Sequence, residues 1–396
     1  MELFDNLKTK NIWIYGIGVI GKRICQVFNG IGVTVTGILV SNKRGNIERY
    51  MGIPVFEIDE YLPKKDDLVI VSADGRAKKD IVNNLISRNI NHMVWNLAAL
   101  SEFWKKHPYR FENRNRNKEK MCLVLCGYKD YLWDEVFKRL NLFVSEDIDV
   151  CLCSAGKYVD RLSQIAQKND WSYLSTELNS VSLIQNICIS LFEDAKWIYK
   201  MDEDMFVTKN SFNSLMDTAQ EIDNSGKYEV GIVSSLIPVN AIGYRIVLEK
   251  YGLLNDYENK FGRALIGGQP QREIEKNPET AKYMWGCDDL PMLDILASDM
   301  CAESGYYICA TRLSIGFILF QKELWRRMQG FLVQGSMDLG VDEEDLNGFC
   351  INESKITAIS LQSVVGHFGF GKQTEEMRKY YMIRKGRFEL EKNNNG

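Results

Sequence analysis

Short apolar runs alternate with stretches of helical periodicity along most of this chain, and a basic, asparagine-rich run at residues 105–120 interrupts the alternation once. Before the interruption, NIWIYGIG, VTVTGILV, DDLVIVSA and NHMVWNL read as strands, with GKRICQVFNGIG and KKDIVNNLISRN as helices between them. Strands separated by helices pair in parallel through right-handed crossovers, which leads to an α/β fold. A second alternation follows the interruption: strand MCLVLCGY, helix DEVFKRLNLF, strand IDVCLCSA, helix YVDRLSQIAQKN, a helix around SLIQNICISLFED, strand WIYKM, helix SFNSLMDTAQEI and strand VGIVSSLIP. A strand, a strand and a helix are expected within ICATRLSIGFILFQKELWRRMQGF.

The interrupting run carries seven Lys/Arg against two Glu and almost no aliphatic residue, so it reads as a boundary. Three parts follow: an α/β domain over 1–104, a basic linker over 105–120 and a second α/β domain over 121–396, with a Gly- and Asn-containing insert at about 241–307. The length of 396 residues suits two or three domains. Lys+Arg total 49 against 53 Asp+Glu, a net charge of −4, which gives no electrostatic case for nucleic acid. No run approaches the roughly 18 apolar residues of a membrane span, and MELFDNLKTK has no signal-peptide pattern. The ten cysteines fall mostly within apolar runs, without C-x-x-C spacing, so a reduced, cytoplasmic setting is expected.

Gly16, Gly18 and Gly21 form a G-x-G-x-x-G between a strand and a helix, where backbone can approach a phosphate at the helix N-terminus. A dinucleotide site would also place an acid about 20 residues on, to hold ribose hydroxyls. Here the second strand ends in Leu39-Val40-Ser41-Asn42, then Lys43 and Arg44. An NAD-linked oxidoreductase and a non-catalytic nucleotide-binding protein using this loop therefore stand as alternatives to the main reading below. With G-I-G-V-I-G and then G-I-P-V at 52–55, this half resembles the Rossmann-like modules attached to bacterial polysaccharide and sugar-modifying enzymes.

Lys200-Met201-Asp202-Glu203-Asp204-Met205 closes an apolar strand. Side chains two apart on a strand share a face, so Asp202 and Asp204 can converge at its carboxyl end, where α/β sheets bind ligands. Paired carboxylates suit Mn²⁺ or Mg²⁺, which take oxygen ligands and bridge to phosphates. A solvated turn would also contain D-x-D, but apolar residues lead into this one, and Phe206 and Val207 follow it.

At this point the chain resembles GT-A-type glycosyltransferases, in which an Asp-x-Asp after a central strand holds a metal on the diphosphate of a nucleotide sugar. The resemblance runs over E-L-N-S-V-S-L-I-Q-N-I-C-I-S-L-F-E-D-A-K-W-I-Y-K-M-D-E-D (177–204), with Ser180 where many members have Gly. It implies a GT-A-type mixed α/β/α sandwich after the Rossmann-like domain. In L-V-L-C-G-Y-K-D it implies a base-binding loop, with Tyr128 stacking on uracil. Gly316, in S-I-G-F-I-L-F-Q-K-E-L-W, is similar to the family's small residue beside the donor sugar. In Gly340-Val341-Asp342-Glu343-Glu344-Asp345 it implies a general base, Asp345 first and Glu344 second; a solvated helix N-terminus would read the same way. In V-V-G-H-F-G-F-G-K it implies His367 as third metal ligand and Lys372 on the leaving diphosphate. Retaining glycogenin-like enzymes have a similar H-F-x-G run, so the anomeric outcome stays open.

The expected activity is metal-dependent transfer of a hexosyl or N-acetylhexosaminyl group from a UDP-sugar to a glycan, lipid-linked or protein hydroxyl in polysaccharide or glycoconjugate synthesis. Trp285, Asp288 and Asp289 in the insert are the expected acceptor-binding residues, although packing alone would also explain a buried Trp. The tail from Lys372 to Lys392 has seven basic and four acidic residues, which suits a solvated helix or peripheral contact with an anionic membrane.

Overall fold

The computed structural model describes residue 7 and residues 9–390, positions 74, 241, 268–272, 304 and 335–339 excepted. Its first sheet contains β1 (Ile12–Tyr15), β2 (Val35–Val40), β3 (Arg49–Tyr50), β4 (Ile53–Glu57), β5 (Leu68–Val71) and β6 (His92–Val94), in the order β3-β4-β2-β1-β5-β6. Only the short β3 runs antiparallel. Helix α1 (Val19–Gly30) buries Ile24, Val27 and Phe28, one face at helical spacing, and α2 (Gly75–Ser87) crosses between β5 and β6.

The second sheet has nine strands: β7 (Tyr109–Glu112), β8 (Lys120–Cys126), β9 (Ile148–Ala155), β10 (Ser172–Thr176), β11 (Trp197–Asp202), β12 (Val230–Leu236), β13 (Tyr306–Ile308), β14 (Phe317–Gln321) and β15 (Ile356–Val364). Their order is β13-β15-β12-β14-β11-β8-β9-β10-β7, and β7, β13 and β14 are antiparallel to their neighbours. From β8 the chain builds outward through β9 and β10, then returns to place β11 on the other side of β8. The carboxyl ends of β8 and β11 therefore flank a topological switch point, where open α/β sheets bind ligands. Helices α3 (Trp133–Phe143) and α4 (Val181–Leu191) follow β8 and β10, and α5 (Val341–Asn352) precedes β15. The expectation of a parallel-sheet α/β unit followed by a mixed α/β sandwich is met.

Within the basic run, β7 pairs with β10 as the edge strand of the second sheet. Its flanking arginines are held by sheet residues: Arg114 N–H donates to Ser172 Oγ at 2.9 Å, and Arg116 N–H to Asp149 at 3.2 Å. The expectation of a linker from 105 to 120 is corrected accordingly, because residues 109–112 belong to a sheet. Two of the strands not read from the sequence, β10 and β15, are rich in Ser and Thr, several of whose hydroxyls are buried and paired, as Thr218 with Ser360 at 2.8 Å and Ser235 with Ser363 at 2.5 Å. The insert contributes helices Gly243–Lys250, Leu254–Phe261, Glu273–Lys276, Pro278–Gly286 and Leu293–Cys301; its positions 241, 268–272 and 304 lie outside the described residues. Among the described residues, no helix is long and apolar enough to cross a membrane.

Candidate active site at the switch point

A cavity of about 490 Å³ opens at the carboxyl ends of β8 and β11. Its acidic end comes from the turn after β11, which is closed by Met205 N–H donating to Asp202 O at 3.2 Å. Phe206 and Gly366 exchange both backbone hydrogen bonds, at 2.9 and 3.0 Å. A Cβ on Gly366 would come within 3.1 Å of Phe206 Cβ, so a glycine permits this close approach. The bridge sets His367 beside Asp204, with Nε2 2.9 Å from Asp204 Oδ2. Asp202 and Asp204 thus line one cavity with His367, which lies far downstream in sequence.

Two lysines share this charge. Lys200 Nζ donates to Asp202 Oδ1 at 2.6 Å, and Lys129 Nζ pairs with Asp204 Oδ2. Burial pushes the Asp202 carboxyl above its ordinary value, and the neighbouring Asp204 adds to that, against the pull of Lys200. Burial would raise Asp204 too, but His367 and Lys129 outweigh it and hold that carboxyl well below the usual range. The buried Asp204 carboxylate, the half-exposed Asp202 carboxylate and the imidazole are donor types that fit Mn²⁺ or Mg²⁺. Gly316 lies against this pair: its O accepts from Asp202 N–H at 2.8 Å, and a Cβ there would run into Met205 Cε.

The middle acid of the motif has a different task, missed in the sequence. Glu203 accepts hydrogen bonds from the backbone N–H groups of Gly127, Tyr128 and Lys129 at 2.8, 2.7 and 2.9 Å, and from Trp133 Nε1 at 2.6 Å. Burial raises the Glu203 carboxyl, and these four donors offset part of the rise. Asp202 ends β11 and Asp204 lies in the turn after it; between them Glu203 turns its carboxylate onto the loop after β8. That loop places Tyr128 at the cavity, with its hydroxyl 3.2 Å from Asn179 Oδ1. Ser180, in the position of the family glycine, caps α4 by accepting from Leu183 N–H at 3.1 Å.

The downstream acids divide differently from expectation. Asp342 and Glu343, in the first turn of α5, line the cavity. Asp342 Oδ2 accepts from Gln185 Nε2 of α4 at 2.9 Å. Burial raises the Glu343 carboxyl, partly opposed by Arg312, whose Nε lies 3.0 Å from Glu343 Oε1. Asp345 and Glu344, the two bases expected from the sequence, do not line it. Asp345 faces α1 and is held by both terminal nitrogens of Arg23 at 2.5 and 2.6 Å. Glu344 is 74% exposed, 3.4 Å from Arg312. On a helix the residue two beyond Asp342 points to another face, while Asp345, one turn on, is taken up by Arg23; a run of four acids conceals both.

Trp285 is also corrected. It is buried, meets Phe388 edge-on at 5.4 Å and donates Nε1–H to His367 O at 2.9 Å, so it supports the histidine and offers no open face to a sugar. Asp288 and Asp289 are exposed and do not line the cavity. Lys372 is exposed beside Gly371, which does line it. In the N-terminal glycine loop, a Cβ on Gly21 would lie 2.1 Å from Gly16 O, so close packing accounts for that glycine. Gly18 starts α1 as its N-cap, with open space around its Cα. Where an NAD site would carry an acid, Ser41 Oγ lies 2.9 Å from the Tyr15 hydroxyl.

No family model matches the sequence, and no curated protein matches it. Among solved structures, the chain is similar to the mannosyltransferase PcManGT of Pyrobaculum calidifontis in complex with GDP-Man and Mn²⁺, at 11% identity and a TM-score of 0.38, over 67% of this chain and 62% of that one. It thus spans less than two thirds of that enzyme's length. It is also similar to glucosyl-3-phosphoglycerate synthase of Mycobacterium tuberculosis in complex with Mn²⁺, UDP-glucose and phosphoglyceric acid, at 12% identity and a TM-score of 0.32, over 74% and 84% of the two chains. Likeness this low leaves the functional argument to the residues of the site.

Proposed function

We propose that this chain is a metal-dependent glycosyltransferase that moves a sugar from a nucleoside-diphosphate donor, UDP being the first nucleotide to test, to an acceptor hydroxyl in glycan or glycoconjugate synthesis. The observation that carries the reading is the Asp202–Asp204–His367 cluster in a cavity at the switch point, with Asp342 and Glu343 lining the same cavity. Asp202, Asp204 and His367 would hold Mn²⁺ or Mg²⁺, which when bound offsets the charge of the leaving diphosphate.

The remaining roles fall to side chains. Tyr128, on the loop that Glu203 folds, stacks on the base. Lys129 stands at the acidic end, where its ammonium can pair with a phosphate oxygen. Glu343 takes the proton of the acceptor hydroxyl; burial raises its carboxyl, which makes it a better base than an exposed carboxylate. Asp342, held by Gln185, keeps the turn of α5 in place beside it. The acceptor is a glycan, a lipid-linked intermediate or a protein.

Release of UDP or GDP from a panel of UDP- and GDP-sugars, with Mn²⁺ and with EDTA, tests this reading. The expected result is metal-dependent release that Asp202→Asn abolishes. No release from any donor, or release indifferent to EDTA and to Asp202→Asn, would overturn it.

A further inference from the structure

The N-terminal unit has no role in the site just described, yet it inserts one buried cation into the element that carries the acceptor-side acids. Arg23 of α1 is 4% exposed and Asp345 of α5 is 8% exposed. The guanidinium gives Nη1 and Nη2 to the two Asp345 oxygens, Nη2 to Gly330 O at 2.5 Å, Nε to Met328 O, and Nη1 to Gln26 Oε1 at 3.4 Å. All five donors of the guanidinium are thereby engaged. Asp345 Oδ2 also accepts Leu332 N–H at 3.1 Å, so one ion pair ties α5 to the segment around residues 328–332.

The same segment is gripped elsewhere. A Cβ on Gly30, the last residue of α1, would lie 2.8 Å from Val333 O, and Trp95 Nε1 donates to Gln329 Oε1 at 2.5 Å. Asn186 of α4 holds Phe331 by both backbone groups, at 2.8 and 2.9 Å. Helix α5 is therefore held at two successive points: Gln185 takes Asp342 and Arg23 takes Asp345, one turn later.

We infer that Arg23 is a positioning residue, through which the N-terminal unit sets the rotation of α5 and so the place of Asp342 and Glu343 in the cavity. The inference rests on the transferase reading for its catalytic consequence and on α5 alone for its structural one. A bidentate guanidinium fixes rotation as well as distance, whereas a lysine ammonium is a point charge that fixes distance only. Arg23 touches no residue of the Asp202–Asp204–His367 cluster, so donor binding should be indifferent to it.

The test uses the full chain with Arg23→Met and Arg23→Lys. Three quantities are read: UDP affinity with Mn²⁺, turnover of UDP-glucose, and hydrogen exchange of the α5 amides. Arg23→Met is expected to leave UDP affinity within about twofold while turnover falls about a hundredfold, the cost of a misplaced catalytic group. Exchange in α5 should rise at least about tenfold. Arg23→Lys, which keeps the buried charge paired, should recover part of the turnover, and it carries the test should Arg23→Met fail to fold. Wild-type turnover and wild-type α5 exchange in the variants would overturn the inference, as would UDP affinity falling in step with turnover. If the wild-type chain turns over no donor, the transferase reading fails, and the exchange measurement alone decides whether Arg23 holds α5.

Discussion

Glu203 and Trp133 meet through a 2.6 Å hydrogen bond from the indole Nε1 to carboxylate Oε2, and the same carboxylate gathers the backbone N–H groups of residues 127–129. The middle residue of the acidic motif thus folds the loop that reaches the cavity. Glu203→Gln places an amide where only acceptors fit. Destabilisation of about 1–3 kcal/mol is expected in urea unfolding, the range for a buried donor left without its acceptor. A tenfold loss of UDP affinity, about 1.4 kcal/mol, should accompany it in calorimetry.

The acids of α5 should separate by function. Glu343→Gln should lower turnover by about a hundredfold or more while leaving UDP binding intact, as removal of a general base does. Glu344→Gln, at an exposed carboxylate, should leave turnover within about twofold, in keeping with the small worth of surface ion pairs. Asp345→Asn should instead cost stability, about 3–5 kcal/mol, because it leaves Arg23 buried and unpaired. Steady-state kinetics and chemical denaturation of the three variants check these outcomes together.

Trp285→Phe keeps the ring packed on Phe388 and removes the N–H that holds His367 O. A loss of about 1 kcal/mol of stability is expected, with weaker Mn²⁺ binding as His367 loosens. Were Trp285 a sugar platform, Phe would instead change acceptor KM at unchanged metal affinity.

Lys322 is buried below the second sheet and donates to Phe192 O at 2.7 Å and Glu193 O at 3.1 Å. Burial, with Arg326 nearby, lowers its ammonium to about 8 from 10.5. Between those values the unfolded chain binds the proton and the folded one does not, so this residue's contribution to stability rises with pH across the window. Below about pH 8 the contribution is flat. Relative to Lys322→Met, the wild-type chain should gain up to about 3 kcal/mol between pH 8 and 10.5, at 1.4 kcal/mol per unit. Unfolding curves of both proteins across that window measure the difference.

Much of this architecture is written locally. Apolar runs marked β1, β8, β9 and β11, and the D-x-D spacing marked two carboxylates that line one cavity, where His367 pairs with Asp204. What stayed hidden depended on long-range partners. β10 and β15 look polar because Ser172, Ser360 and Ser363 are buried as paired hydroxyls, which periodicity cannot register. The four acids at 342–345 are equivalent in composition, and only the arrival of Arg23 from 322 residues away removes Asp345 from the cavity set. Glu203 stayed hidden for the same reason, because its target loop lies more than seventy residues upstream.

Calorimetric titration of UDP into the protein, with Mn²⁺, with EDTA in its place, and with Asp204→Asn, tests the central claim most directly. The account predicts saturable binding that needs Mn²⁺ and that Asp204→Asn weakens by at least about tenfold, 1.4 kcal/mol. Binding of equal strength in all three titrations, or no UDP binding in any, would contradict a donor site built on Asp202, Asp204 and His367.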